Sequence, residues 1–258
     1  MADQEPVLRT ILLGASNLEA GLPIVLEGIR RRAAGPVEVL AACGHGRSYG
    51  AWSRFLFVRR LPGIAGSGLW QALEGGPPRS TLALVTDIGN DLIYGAGIER
   101  IAAWIETCLE RLARHQAQVV LTLLPVRRLE RLSLWEVRLA SALLFPGRSS
   151  PWPGLLEQAR SLNERLRRMG QQCGARLVEP AAHWYGIDPI HLRSSLRETA
   201  WEHILSLWRP SPGAAQGSAA GRIRIPLFGT AELRLFGITL RNPQPAVRLA
   251  DGTTIALY

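Results

Sequence analysis

Four groups of residues in this chain have the types and the order that acyl transfer requires. Gly14-Ala15-Ser16-Asn17-Leu18 offers a hydroxyl, Gly44-His45-Gly46-Arg47-Ser48 a flexible glycine turn, Gly89-Asn90-Asp91 a carboxamide, and Asp188-Pro189-Ile190-His191 a carboxylate three residues before an imidazole. Acyl transfer needs a nucleophile, a base, an acid that orients the base, and donors for an oxyanion. Each group alone has a plainer reading. Ser16 suits the N-cap of a helix, the glycines suit a tight turn, Asn90 suits a turn, and Asp188 with His191 suits a surface ion pair. Those readings leave unexplained why all four groups follow apolar runs, in this order.

The apolar runs are the elements that must position them. Leu8–Leu13, Val37–Ala42, Thr81–Thr86 and Gln118–Leu124 are short and continuously apolar, as expected of strands buried on both faces of a parallel sheet; Arg176–Glu179 is a weaker fifth. Between them, Ile98, Ile101, Ile105, Cys108, Leu109 and Leu112 recur at helical spacing. So do Leu155, Ala159, Leu162, Leu166 and Met169, and then Leu196, Ala200, Trp201, Ile204 and Leu207. The alternation predicts a flavodoxin-like three-layer α/β/α sandwich with about five parallel strands and a short β-rich C-terminal tail. In such sheets ligands bind at the carboxyl ends of the strands, the edge on which all four groups fall.

On these blocks the chain resembles the SGNH (GDSL-like) hydrolase family over roughly residues 8–208. Ser16 matches the Gly-Asp-Ser block, Gly46-Arg47-Ser48 the Gly-x-Thr/Ser block, Asn90-Asp91-Leu92 the Gly-x-Asn-Asp block, and Asp188 to His191 the Asp-x-x-His block. Two positions depart from the pattern: Ala15 stands where Asp is usual, and Ile88 where a glycine is expected. The resemblance implies a serine esterase with Ser16 as nucleophile, His191 as base and Asp188 orienting it. It also implies an oxyanion hole made by the Ser16 and Gly46 backbone amides and the Asn90 carboxamide. Asn17, Arg47 and Arg193 flank this site and are expected to contact substrate, the arginines favouring an anionic one. The expected partner is a small-molecule ester, with no cofactor. An acyltransferase using the same triad, and a non-catalytic binding or assembly module, remain alternatives.

Composition removes other chemistries. Of 258 residues, 30 are basic, and every one is arginine. Without lysine there is no Schiff base, P-loop lysine or Ser–Lys dyad. The net charge of +9 is scattered, with Arg30-Arg31-Arg32 as the run of three, and predicts no nucleic-acid groove. Cys43, Cys108 and Cys173 are widely spaced and argue against a disulfide framework. Cys43 and His45 lack further ligands at metal spacing, and His183 lacks an Asp three residues upstream. Asp87 and Asp91 are expected to act first as structural hydrogen-bond acceptors. No apolar stretch reaches the length of a membrane span, and the N-terminus does not read as a signal peptide, so the expected location is cytoplasmic.

Three domain-level expectations follow: an α/β domain over 1–208, a linker over 209–221, and a tail over 222–258 docking on the domain or on a second subunit, with a homo-oligomer as one outcome. Within the tail, Arg222–Phe228 and Glu232–Leu240 read as strands, and Asp251-Gly252 as a type I′ hairpin turn. Leu129, Leu132, Trp135, Leu139 and Leu143 form an amphipathic piece that suits either a lid or a crossover helix.

Overall fold

Five strands carry the frame of the fold: β1 (Leu8–Leu13), β2 (Val37–Ala42), then β5 (Ser80–Val85), β6 (Gln118–Thr122) and β7 (Arg176–Val178), with the short β3 (Ser53–Phe55) and β4 (Arg59–Leu61) lying between β2 and β5. The computed structural model describes residues 6–55, 59–144, 152–208, 223–226 and 229–258. The expected linker, 209–221, lies outside the described residues, as do 145–151 of the loop after the amphipathic piece. The helices are α1 (Ser16–Arg32), α2 (Leu69–Gly75), α3 (Asn90–Ile93), α4 (Ile98–Arg114), α5 (Val126–Leu129), α6 (Leu134–Leu144), α7 (Trp152–Gln172) and α8 (Arg197–Leu205).

The five frame strands pair in parallel in the order β2-β1-β5-β6-β7, which is flavodoxin-like. Every residue of β1 is buried, because it sits between two neighbours and under helices on both faces. Leu12 and the β2 residues Val37 and Val39 pack with Leu18, Leu22 and Leu26 of α1 and Trp201 of α8. On the other face, Ile11 and Leu13 pack with Ile105 and Leu112 of α4 and Leu162 of α7. Gly21 is where α1 and α8 touch: a Cβ there would lie 1.9 Å from Trp201 Nε1. Arg9, buried within β1, is neutralised by Glu38, its register partner on β2, at 2.7 Å.

The tail enlarges the architecture beyond five strands. Its strands are β8 (Glu232–Leu235), β9 (Ile238–Arg241), β10 (Val247–Arg248) and β11 (Thr254–Leu257). Strand β11 adds in parallel to the free edge of β2, and β10 adds antiparallel to β11, giving seven strands. Meanwhile β8 and β9 join β4 and β3 in a four-stranded antiparallel sheet. The stretch Glu232–Leu240 is therefore a hairpin rather than one strand. Phe236 and Gly237 both take positive φ, 50° and 85°, the conformation of a two-residue type I′ turn. At Asp251-Gly252 the expected type I′ turn is replaced. Only Gly252 has positive φ; its N–H donates to Leu249 O at 3.0 Å, while Leu249 N–H donates to Thr253 O at 2.9 Å. That is a type I turn closed by a left-handed glycine. Residues 223–226 carry no regular structure, and the rest of the expected strand Arg222–Phe228 lies outside the described residues.

Strand β1 leads by α1 to β2 on one side, and the chain then returns to β5 on the other. The crevice of an open α/β sheet lies at that reversal. The loops after β1 and β5 meet there.

Candidate active site

Helix α1 begins at Ser16, but the serine is not its cap. Ala15 holds the N-cap position without a side-chain bond, and the capping is done from another loop. Asp87, after β5, takes a left-handed φ of 59° and accepts from Ala15 N–H at 2.9 Å and Leu18 N–H at 3.0 Å through Oδ2. The Ser16 hydroxyl is thereby left for another partner. It lies 2.9 Å from His191 Nε2. His191 Nδ1 lies 2.6 Å from Asp188 Oδ2, and Asp188 Oδ1 accepts the N–H of Ile190 at 3.0 Å and of His191 at 3.2 Å.

The charges on this chain of bonds reinforce each other. Burial alone would push the Asp188 carboxyl up, but the bonds from His191 and the Ile190 N–H outweigh it and hold the carboxyl below its usual value. The Asp188 bond holds the His191 imidazole above its usual value, against the opposing effect of burial. With Asp188 ionised, Nδ1 must donate, which leaves Nε2 to accept the Ser16 proton. The arrangement can thus move a proton off the hydroxyl and stabilise the imidazolium that results.

The His191 segment is tied directly to α1. Asn17 Nδ2 donates to Asp87 Oδ1 at 3.0 Å and to Ile190 O at 2.9 Å, and Asn17 Oδ1 accepts from Leu192 N–H at 2.8 Å. Both ends of that amide are occupied. Asn17 thereby clamps the residues either side of His191, and its side chain also borders the neighbouring cavity.

Residues 44–49 form the loop opposite. Gly46 has a φ of 65°, and its carbonyl accepts from the Tyr94 hydroxyl at 2.9 Å. The N–H groups of Ser16 and Gly46 carry no hydrogen bond among the described residues. The loop is held by the buried Asp91, which accepts from Tyr49 N–H at 2.8 Å and whose carboxyl is pushed up by burial. Tyr49 in turn donates to Thr86 O at 2.6 Å, bracing the ends of β1 and β5. Asn90, at the start of α3, borders the apolar cavity with Asn17 and Ile190. That cavity has a volume of about 80 Å³ and is walled by Leu92, Leu123, Leu124, Leu129 and Tyr185.

The two arginines expected to contact substrate lie in different surroundings. Arg47 is fully buried, and its guanidinium donates to the carbonyls of Pro62 at 3.1 Å and Cys43 at 3.2 Å and to the main-chain oxygen of Tyr258. Desolvation lowers it to about 10, yet it still ties the loop to the end of β11. Its Nε and Nη1 are used by these oxygens, and Nη2, though without a hydrogen-bond partner among the described residues, is buried with the rest of the side chain. Arg193 is exposed and lies against Gly186, outside the cavity.

Three further groups surround the site. His45 stacks on His191 with ring centroids 5.9 Å apart, and burial lowers its titration most, against the opposing charge of Glu19 3.8 Å away. The thiol of Cys43 is pushed up to about 12 by desolvation, so it stays protonated. Tyr49 and Tyr94, which brace the loops, carried no sequence signal, since single tyrosines without a motif read as core. Among the described residues, no three His, Cys, Asp or Glu side chains gather as metal ligands.

No protein-family model and no curated protein sequence matches the chain. Solved structures do. The chain has an α/β fold like that of the SGNH hydrolases. The aryl esterase of M. Smegmatis matches at a TM-score of 0.51 and 13% identity, covering 77% of this chain and 96% of that one. TesA matches at a TM-score of 0.49 and 14% identity over 77% of this chain and 96% of that one. AlinE4, an SGNH-hydrolase family esterase, matches at 0.42 and 15% over 80% and 94%. No helix among the described residues is long and apolar enough to cross a membrane.

Proposed function

We propose that the protein is a serine-dependent hydrolase of carboxylic esters working through an acyl-enzyme. One observation carries this reading: the continuous path from Asp188 to His191 at 2.6 Å and from His191 to Ser16 at 2.9 Å, in the crevice where the sheet reverses. Ser16 Oγ attacks the ester carbonyl while His191 Nε2 takes its proton. Asp188 holds the imidazole in the required tautomer and stabilises its cation. The developing oxyanion is met by the Ser16 and Gly46 N–H groups and the Asn90 carboxamide. His191 returns the proton to the departing alcohol oxygen, and water then attacks the acyl-serine with His191 again as base. The acyl group lies in the cavity beside Asn17 and Asn90, whose volume of about 80 Å³ suits a short chain.

The test is a series of nitrophenyl esters of increasing acyl length, on the wild-type protein and Ser16→Ala. Turnover falling beyond the shortest chains, and lost in the variant, supports the reading. Equal turnover in the variant overturns it. An acceptor alcohol or thiol that takes the acyl group in place of water reassigns the same site to acyl transfer.

A further inference from the structure

A second groove lies on the other side of α3 from the apolar cavity. Asn90, Leu92 and Ile93 border the cavity, whereas Asp91, and Tyr94 just past the helix, border the groove. Its volume is about 350 Å³, the size that takes a small organic molecule. Trp52, Tyr94 and Trp104 form its walls, with Arg100 and Ser48 alongside. The groove adjoins the reacting centre through Tyr94, whose hydroxyl donates to Gly46 O at 2.9 Å. Its Trp104 wall rests on the same loop: a Cβ on Gly50 would lie 1.8 Å from the Trp104 ring.

The groove is flat-walled and positive. Trp52 is 43% exposed, a large apolar area for a residue held in place by Arg234 of β8, whose guanidinium lies 4.3 Å over the ring. Arg100 is exposed and makes no ion pair among the described residues, since its neighbour Glu99 is paired with Arg165. The carboxylate that borders the groove, Asp91, is 2% exposed and already accepts the Tyr49 N–H. Flat aromatic walls favour a planar group by stacking, and an uncompensated guanidinium favours a carboxylate, which it grips with two parallel N–H bonds.

We propose that this groove binds the alcohol side of the substrate as an aromatic ring bearing a carboxylate. The inference rests on the ester-hydrolase reading. The tryptophan walls stack the ring, and Arg100 pairs with its carboxylate. In the first half-reaction the Ser16 Oγ–acyl carbon bond forms and the acyl carbon–aryl oxygen bond breaks. The aryl oxygen takes the proton held on His191 Nε2, and a hydroxybenzoate-type product leaves by the groove. The acyl group and the leaving group therefore lie on opposite sides of α3.

The experiment compares 4-acetoxybenzoate with phenyl acetate, which differ by the carboxylate, on the wild-type protein, Arg100→Gln and Trp52→Leu. The inference predicts a higher kcat/KM for 4-acetoxybenzoate in the wild type. It also predicts that the ratio between the two esters falls at least tenfold in Arg100→Gln, through KM rather than kcat. Trp52→Leu is expected to raise KM for both esters. An unchanged ratio in Arg100→Gln overturns the groove assignment while leaving the hydrolase reading intact. If the wild type turns over neither ester, the hydrolase reading fails. The groove is then decided by calorimetry with 4-hydroxybenzoate, where binding weakened by Arg100→Gln supports it and absent binding refutes it.

Discussion

Asn17 donates its side-chain N–H to Asp87 at 3.0 Å, so the residue following Ser16 is bonded to the loop after β5. The same amide holds Ile190 O and Leu192 N–H, one residue to each side of His191. Three loops from three distant parts of the sequence are thereby fixed around one hydroxyl. A displacement of about 1 Å in such a constellation costs roughly 100-fold in rate. Asn17→Ala is therefore expected to lower kcat by about that factor with an unchanged circular-dichroism spectrum. Retention of full kcat would show that the bonds of Asn17 do not position the base.

Asn90 is expected to act on the transition state rather than on bound substrate. Losing one oxyanion donor costs about 100- to 1,000-fold in kcat. Asn90→Ala should show that loss with KM little changed. A change confined to KM would make Asn90 a wall of the cavity and nothing more.

The pH profile follows from the bond between His191 and Asp188. His191 must be neutral to accept the Ser16 proton, and the Asp188 bond raises its titration above the usual value of about 6.5. Activity is therefore lost as pH falls through that raised value, and the acid limb of kcat/KM lies above about 6.5. Asp188→Asn removes the bond to the charged form, so the limb moves to lower pH while kcat drops by about 10,000-fold. A limb that stays in place in Asp188→Asn contradicts the assignment of Asp188 as the orienting acid.

Arg47 is expected to matter for stability. Its three acceptor oxygens, on Cys43, Pro62 and Tyr258, would lose their donor in Arg47→Met. Each buried polar group left without a partner costs about 1–3 kcal/mol. Even one such loss, at about 2 kcal/mol, corresponds to a fall in Tm of about 4–8 °C for a chain of this size, and the three together lower it further. Thermal unfolding followed by circular dichroism measures it. An unchanged Tm would show that these bonds do not secure the end of β11.

Four of the five frame strands were legible as continuous apolar runs, and β1 and β2 begin and end where those runs do, whereas the short β7, Arg-Leu-Val, gave a weaker signal. The four candidate blocks could be singled out because three directly follow a strand and the fourth lies in the connection after β7; the structure brings Ser16, His191 and Asp188 within hydrogen-bond distance. The tail was harder to read. Its strand β11 is too short to announce that it adds to β2, and the turn at Phe236-Gly237 hides inside an apolar stretch that reads as one strand. Arg47 shows the limit of reasoning from neighbours in sequence. It follows Gly46, yet the left-handed conformation there turns its side chain away from the crevice, toward the end of β11. The capping of α1 by Asp87 likewise depends on two loops 72 residues apart meeting in space.

The most direct test is mass spectrometry of the intact protein and its peptides after reaction with a fluorophosphonate, which acylation-competent serines attack. A single adduct on Ser16, absent in His191→Ala, is the expected result. An unmodified Ser16, or an adduct that forms equally without His191, would contradict the account.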